Sequence, residues 1–142
     1  MSLLRALDIS ASGLYAGRLR MDVIAQNIAN AESETDGATP YRRREVILVS
    51  RPSGPNSSFG PPRQAAQGGV AVLGIREDTS PPQLVYRPGD PQADAQGYVR
   101  LPNVNLPLEM VDMVTATRIY EANAAALKTA RDMVKRTLDI MR

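Results

Sequence analysis

Apolar residues return every seventh position at both ends of this chain and in no sustained way between them, which constrains the fold more than any other feature. In the N-terminal stretch Leu7, Leu14, Met21 and Ile28 form the repeat, and Leu3, Leu4, Ala11, Ile24 and Ala25 broaden the same face. This predicts an amphipathic helix from Leu3 to about Ala31, capped by Ser2 and ended by the polar stretch from Ser33 to Pro40. At about 1.5 Å per residue it would be a rod of ~43 Å. In the C-terminal third Met113, Tyr120, Leu127, Val134 and Met141 stand seven apart, and Met110, Thr117, Ala124 and Leu138 supply a second stripe that Arg131 interrupts. Pro107 suits the first turn of that helix. Glu109 and Asp112 lie where the helix dipole favours acids, and Lys135, Arg136 and Arg142 where it favours bases.

Composition says how such helices can be buried. Among 142 residues there are one Phe, no Trp and five Tyr, so any core is aliphatic and narrow. Two helices with apolar seams, joined by a middle poor in core residues, are most simply satisfied by folding back and pairing antiparallel. The expected class is mainly α: terminal helices paired as an antiparallel coiled coil, around an irregular middle with short β-strands or a hairpin. Gly13 and Gly17 lie one turn apart within the first helix, each costing about 1 kcal/mol relative to Ala. Either another helix backbone approaches that face closely, or the helix simply tolerates them.

The chain divides into residues 1–33, the N-terminal helix; 34–104, an extended, β-rich middle; and 105–142, the C-terminal helix. Short β-like runs occur at Val46 to Val49, Val70 to Ile75, Leu84 to Tyr86 and Tyr98 to Leu101. The Pro- and Gly-rich segment around 51–67 is read as a loop that cannot hold a regular ladder.

Without His or Cys, the chain has no Ser-His-Asp triad, thiolate nucleophile, disulfide or His- or thiolate-based metal site. No pair of carboxylates suggests matched acid and base roles. Neither enzymatic activity nor a cofactor is expected. Glu32, Glu34, Asp36 and Gly37 begin a calcium-loop pattern, but the position that needs a bidentate Glu is Arg43. Lys plus Arg exceed Asp plus Glu by only two (17 against 15), and Arg42-Arg43-Arg44 has no basic stripe beside it. That run is read as a solvated or partner-facing cluster, not a nucleic-acid contact.

The stretch from Ser12 to Ala31, SGLYAGRLRMDVIAQNIANA, resembles the N-terminal signature of bacterial flagellar rod and hook proteins. Asp94-Ala95-Gln96-Gly97-Tyr98-Val99, then Leu101-Pro102-Asn103-Val104-Asn105 and Glu109-Met110-Val111-Asp112-Met113, resemble the proximal-rod members of that family. Asn27, Asn30, Tyr41, Arg42, Arg43, Pro102, Asn103 and Asn105 carry the motif. The link from Glu32 to Pro40 is longer than the short Thr-rich one usual there. The resemblance implies a structural subunit of the basal-body rod whose paired helices form the inner tube of a helical assembly and whose middle packs between neighbours. It implies as partners copies of the chain, other rod proteins, the base of the rod at the membrane ring, the surrounding rings and, in transit, the export machinery, with no nucleic acid and no membrane insertion. It also implies a periplasmic site reached by type III export without a cleaved signal. The competing reading is a cytoplasmic export adaptor or chaperone that holds clients on a coiled-coil surface.

Overall fold

The computed structural model describes residues 3–33, 39–52 and 67–140. Two long helices, α1 (Leu3–Ala29) and α2 (Leu106–Ile140), enclose four strands in sequence: β1 (Arg44–Pro52), β2 (Gln67–Glu77), β3 (Gln83–Tyr86) and β4 (Tyr98–Leu101). The strands form two separate antiparallel ribbons, β1 with β2 and β3 with β4. None of the helices is long and apolar enough to cross a membrane, among the described residues.

The helices run alongside each other in opposite directions. Gly13 of α1 lies against Asn123 of α2 and Gly17 against Tyr120; Thr117 approaches the Met21 sulfur at 3.7 Å, and Asn27 meets Glu109. On α2 the residues turned inward are Glu109, Met113, Ala116, Tyr120, Asn123, Leu127, Ala130 and Val134, all buried or half-buried. Their spacing alternates between four and three. The line Met113-Tyr120-Leu127-Val134 is thus on the inner face, and its companion is the small and polar line Glu109-Ala116-Asn123-Ala130. Met110 and Leu138, assigned to the second stripe from sequence, are exposed. Ala116 and Ala130 hold that place because a methyl group lets the helices approach.

The core is as thin and aliphatic as the composition dictates: its buried apolar residues are Ala16, Val23, Ile24, Ala31, Val99, Leu101, Val104, Ala116 and Ala130. The β1–β2 ribbon packs on α1, where the Ser12 hydroxyl donates to Ile9 O at 2.7 Å and accepts from Val70 N–H at 3.1 Å. Gly69 (φ 99°) is needed there, since a Cβ would run into the Ser12 side chain.

Three boundaries differ from the sequence expectation. α1 stops at Ala29: the Asn30 side-chain Nδ2 donates to Gln26 O at 2.8 Å, and the chain then tightens into i→i−3 bonds, Ala31 N–H to Ile28 O and Ser33 N–H to Asn30 O, each 3.2 Å. Arg51, Pro52 and Gln67 belong to the ribbon, with Pro52 opposite Gln67. A proline is tolerated at such a strand end. Residues 53–66, the rest of the expected loop, lie outside the described residues, as do Ser2, Glu34, Asp36, Gly37, Met141 and Arg142. Lys135 and Arg136 precede the last turn of α2, which carries no basic residue.

Candidate functional site

At the end of the molecule where α1 finishes and α2 begins, four pieces of chain converge on one buried polar cluster. Asn27 arrives on α1, Tyr41 to Arg44 on the approach to β1, Asn103 on the link after β4, and Glu109 on the first turn of α2. Asn27 and Glu109 are both 0% exposed. Asn27 uses its full hydrogen-bonding capacity. Its Nδ2 donates to Arg44 O at 2.8 Å and to Glu109 Oε2 at 3.1 Å, while its Oδ1 accepts from Tyr41 Oη at 2.8 Å and from Arg44 N–H at 2.9 Å.

Glu109 faces Arg43 from the other side, with Nε to Oε1 at 2.6 Å. The same guanidinium reaches Asp112 at 3.5 Å. Burial alone would depress the Arg43 pKa, but the hydrogen bond and charge of Glu109 outweigh it and raise it. Burial likewise pushes the Tyr41 hydroxyl up, with Arg44 opposing and Glu109 adding, so it remains a donor to Asn27. Arg44 also lies over the Tyr41 ring, 5.6 Å from its centroid, and pairs with Glu77 at 3.2 Å.

Asn103 completes the enclosure. Its Oδ1 accepts from Arg43 N–H at 2.8 Å, and its Nδ2 donates to Asp78 O and Ser80 O, each at 3.3 Å. Pro102 beside it is fully buried. Asn105 caps α2, its Oδ1 accepting from Leu108 N–H at 3.2 Å. Among the described residues no buried side-chain nitrogen or oxygen lacks a hydrogen-bond partner. The cluster therefore fastens both helix ends and the ribbon to one point, and all its polar groups face one another. It offers a lock, not a reaction centre.

The family-motif residues thus sort by role in the structure. Asn27, Tyr41, Arg43 and Asn103 meet in the lock; Asn30 and Asn105 sit at helix ends; Pro102 is packed beneath; Arg42 is exposed and outside the cluster. Arg43 corrects the reading of Arg42 to Arg44 as a solvated or partner-facing cluster, because it is engaged by the buried carboxylate of Glu109, 66 residues away along the chain, whereas Arg44 pairs with Glu77 in the open. Sequence reasoning placed Glu109 only against the helix dipole and missed its burial. The signal was its spacing of four from Met113, which sets it on the buried face.

The seam residues of α1, Leu7, Leu14, Met21 and Ile28, are half-buried, and Ile24 is buried. On α2, Met113, Tyr120, Leu127 and Val134 are half-buried. Gly13 and Gly17 both face α2 but differ: a Cβ on Gly13 would stand 2.9 Å from Asn123 Oδ1, whereas one on Gly17 would meet Tyr120 at an ordinary 3.6 Å.

Known proteins supply the identity of this arrangement. Residues 7–39 match the family described as flagella basal body rod protein. Residues 95–140 match the C-terminal family of the flagellar basal body rod FlgEFG proteins. The flagellar basal-body rod protein FlgC of Escherichia coli O6:H1 is 43% identical over 99% of this chain and 98% of its own. The FlgC proteins of Borreliella burgdorferi and Bacillus subtilis are 42% and 41% identical, each over 99% of both chains. These relatives are structural rod proteins, and none supports the reading as an export adaptor. The chain belongs to the FlgC-type flagellar basal-body rod proteins, structural subunits of the basal body with no enzymatic activity.

Proposed function

We propose that this chain is a subunit of the proximal rod, in which the paired terminal helices wind as a coiled coil and line the inner wall of a helical assembly. The seam residues Leu7, Leu14, Met21, Ile24, Ile28, Met113, Tyr120, Leu127 and Val134, with Met141 beyond the described residues, hold the helix pair together, and Leu138 lies on the exposed face of α2. Other rod proteins, copies of the chain, the base of the rod at the membrane ring and the surrounding rings are its partners, within the periplasmic span. It travels there through the export channel before its helices pair. Interfaces that repeat along a helix without closing let the rod carry torque.

One observation carries this reading. α2 covers one face with α1 yet exposes Val111, Val114, Ile119, Met133, Leu138 and Ile140 elsewhere along 35 residues, with Met133 at 53% and Ile140 at 85% exposure. Apolar surface distributed along a helix of about 52 Å is stabilised by burial against neighbours, at about 25 cal/mol per Å².

The test separates the two faces. Leu14→Asp or Leu127→Asp places a charge between α1 and α2 and should prevent folding and assembly together. Met133→Asp on the exposed face should leave the helix pair intact, as read by circular dichroism, and remove the chain from purified basal bodies. Normal rods and swimming in the Met133→Asp strain would overturn the proposal.

A further inference from the structure

A second surface lies behind the lock. The turn after β2 and the approach to β1 enclose an open groove of about 230 Å³, lined among others by Tyr41, Arg42, Pro81, Pro82, Arg100 and Asn103. Its walls are fixed in advance. Asn103 binds Arg43 N–H on one side and the Asp78 and Ser80 carbonyls on the other. Asp78 closes the turn by accepting from Ser80 N–H at 2.9 Å and Ser80 Oγ at 2.6 Å. Prolines 81 and 82 offer no N–H donors, so a strand laid there finds no backbone ladder from that wall. Recognition falls to side chains.

The charges in the groove stand apart from the others nearby. Arg43, Arg44 and Arg76 are ion-paired with Glu109, Glu77 and Glu45. Arg42 and Arg100, both exposed, form no ion pair among the described residues. The charge of Arg100 is felt by Asp94, but the Asp94 carboxylate already accepts from the Gln96 and Tyr98 amides. Two guanidiniums set among proline rings and a tyrosine have the fork geometry and weak hydration that suit carboxylates.

We infer that this groove receives an acidic, extended segment of a neighbouring chain in the rod, its carboxylates on Arg42 and Arg100. Charge complementarity selects that occupant, because a neutral or basic segment would leave both guanidiniums facing uncompensated or like charge. The inference rests on the rod-subunit reading, which incorporation of the chain into basal bodies reports separately.

The experiment puts a photo-reactive amino acid at Thr79, an exposed residue on the rim, and irradiates purified basal bodies before mapping cross-linked peptides by mass spectrometry. The expected product is a peptide from another chain carrying two or more Asp or Glu near the cross-link. Its yield should fall about tenfold in an Arg42→Glu, Arg100→Glu double variant and survive in Arg42→Lys, Arg100→Lys. Retained circular dichroism shows that the double variant still folds. A cross-link within the same chain, to a neutral or basic peptide, or with a yield indifferent to charge reversal would overturn the inference.

Discussion

Asn27 donates its side-chain amide to Glu109 at 3.1 Å across 82 residues of sequence, and both side chains are excluded from solvent. The contact joins the last turns of one terminal helix to the first turn of the other. Arg43, bonded to Glu109 from the opposite side, ties the ribbon to the same point. A charge buried with its partners costs little, and one left without them costs much.

Removing either half of this arrangement should therefore be expensive. Arg43→Ala leaves Glu109 with one amide donor and should lower stability by about 3 kcal/mol, measured by urea unfolding. Asn27→Asp keeps the size but turns an acceptor toward Glu109 where a donor stood, and should cost as much or more. Wild-type midpoints in both variants would show that the lock adds nothing to stability.

The two glycines of α1 should respond differently to the same substitution. Gly17→Ala meets only van der Waals contact with Tyr120, so the helix-propensity gain of up to about 1 kcal/mol should appear as a raised Tm. Gly13→Ala pushes on the Asn123 amide, which bonds to Ile119 O at 3.0 Å, and the gain should be cancelled. In an Asn123→Ala background it should return. Thermal unfolding of the four chains as a double-mutant cycle checks this.

Much of this was legible from sequence and some of it was not, for physical reasons. The heptad lines through Leu14 and Leu127 reveal both helices, because a seven-residue apolar repeat has few other solutions. The lock was hidden because its members are polar and distant: Asn27, Arg43, Asn103 and Glu109 look individually like surface residues, and only the fold gives each its partner. The inner line of Ala116 and Ala130 escaped notice because small residues carry little apolar signal. Resemblance to a family marked Asn27, Tyr41, Arg43 and Asn103 without saying that they meet.

Acid should loosen the loop between β3 and β4. Asp94 accepts from the Tyr98 and Gln96 amides at 2.9 Å each, and these bonds, that to Tyr98 foremost, hold its carboxyl below the ordinary aspartate range. A depressed folded-state pKa contributes stability that is present above the unfolded value of about 3.9 and lost as pH falls through the folded value. The Tyr98 amide proton shift, followed by NMR through the acid range, should titrate below that unfolded value. A midpoint at or above it would contradict the assignment.

In the proposed rod subunit the terminal helices stay paired antiparallel, in this register, within the assembled rod. The absence of native Cys makes a direct measurement possible. A Cβ built on Gly17 lies 3.8 Å from the Tyr120 Cβ, within the window for a disulfide. Gly17→Cys with Tyr120→Cys should close on mild oxidation of purified basal bodies, giving one chain of increased mobility on a non-reducing gel. Gly17→Cys with Leu127→Cys, about 10 Å further along α2, should not. Closure of the second pair and not the first, or cross-links only between different chains, would contradict the account.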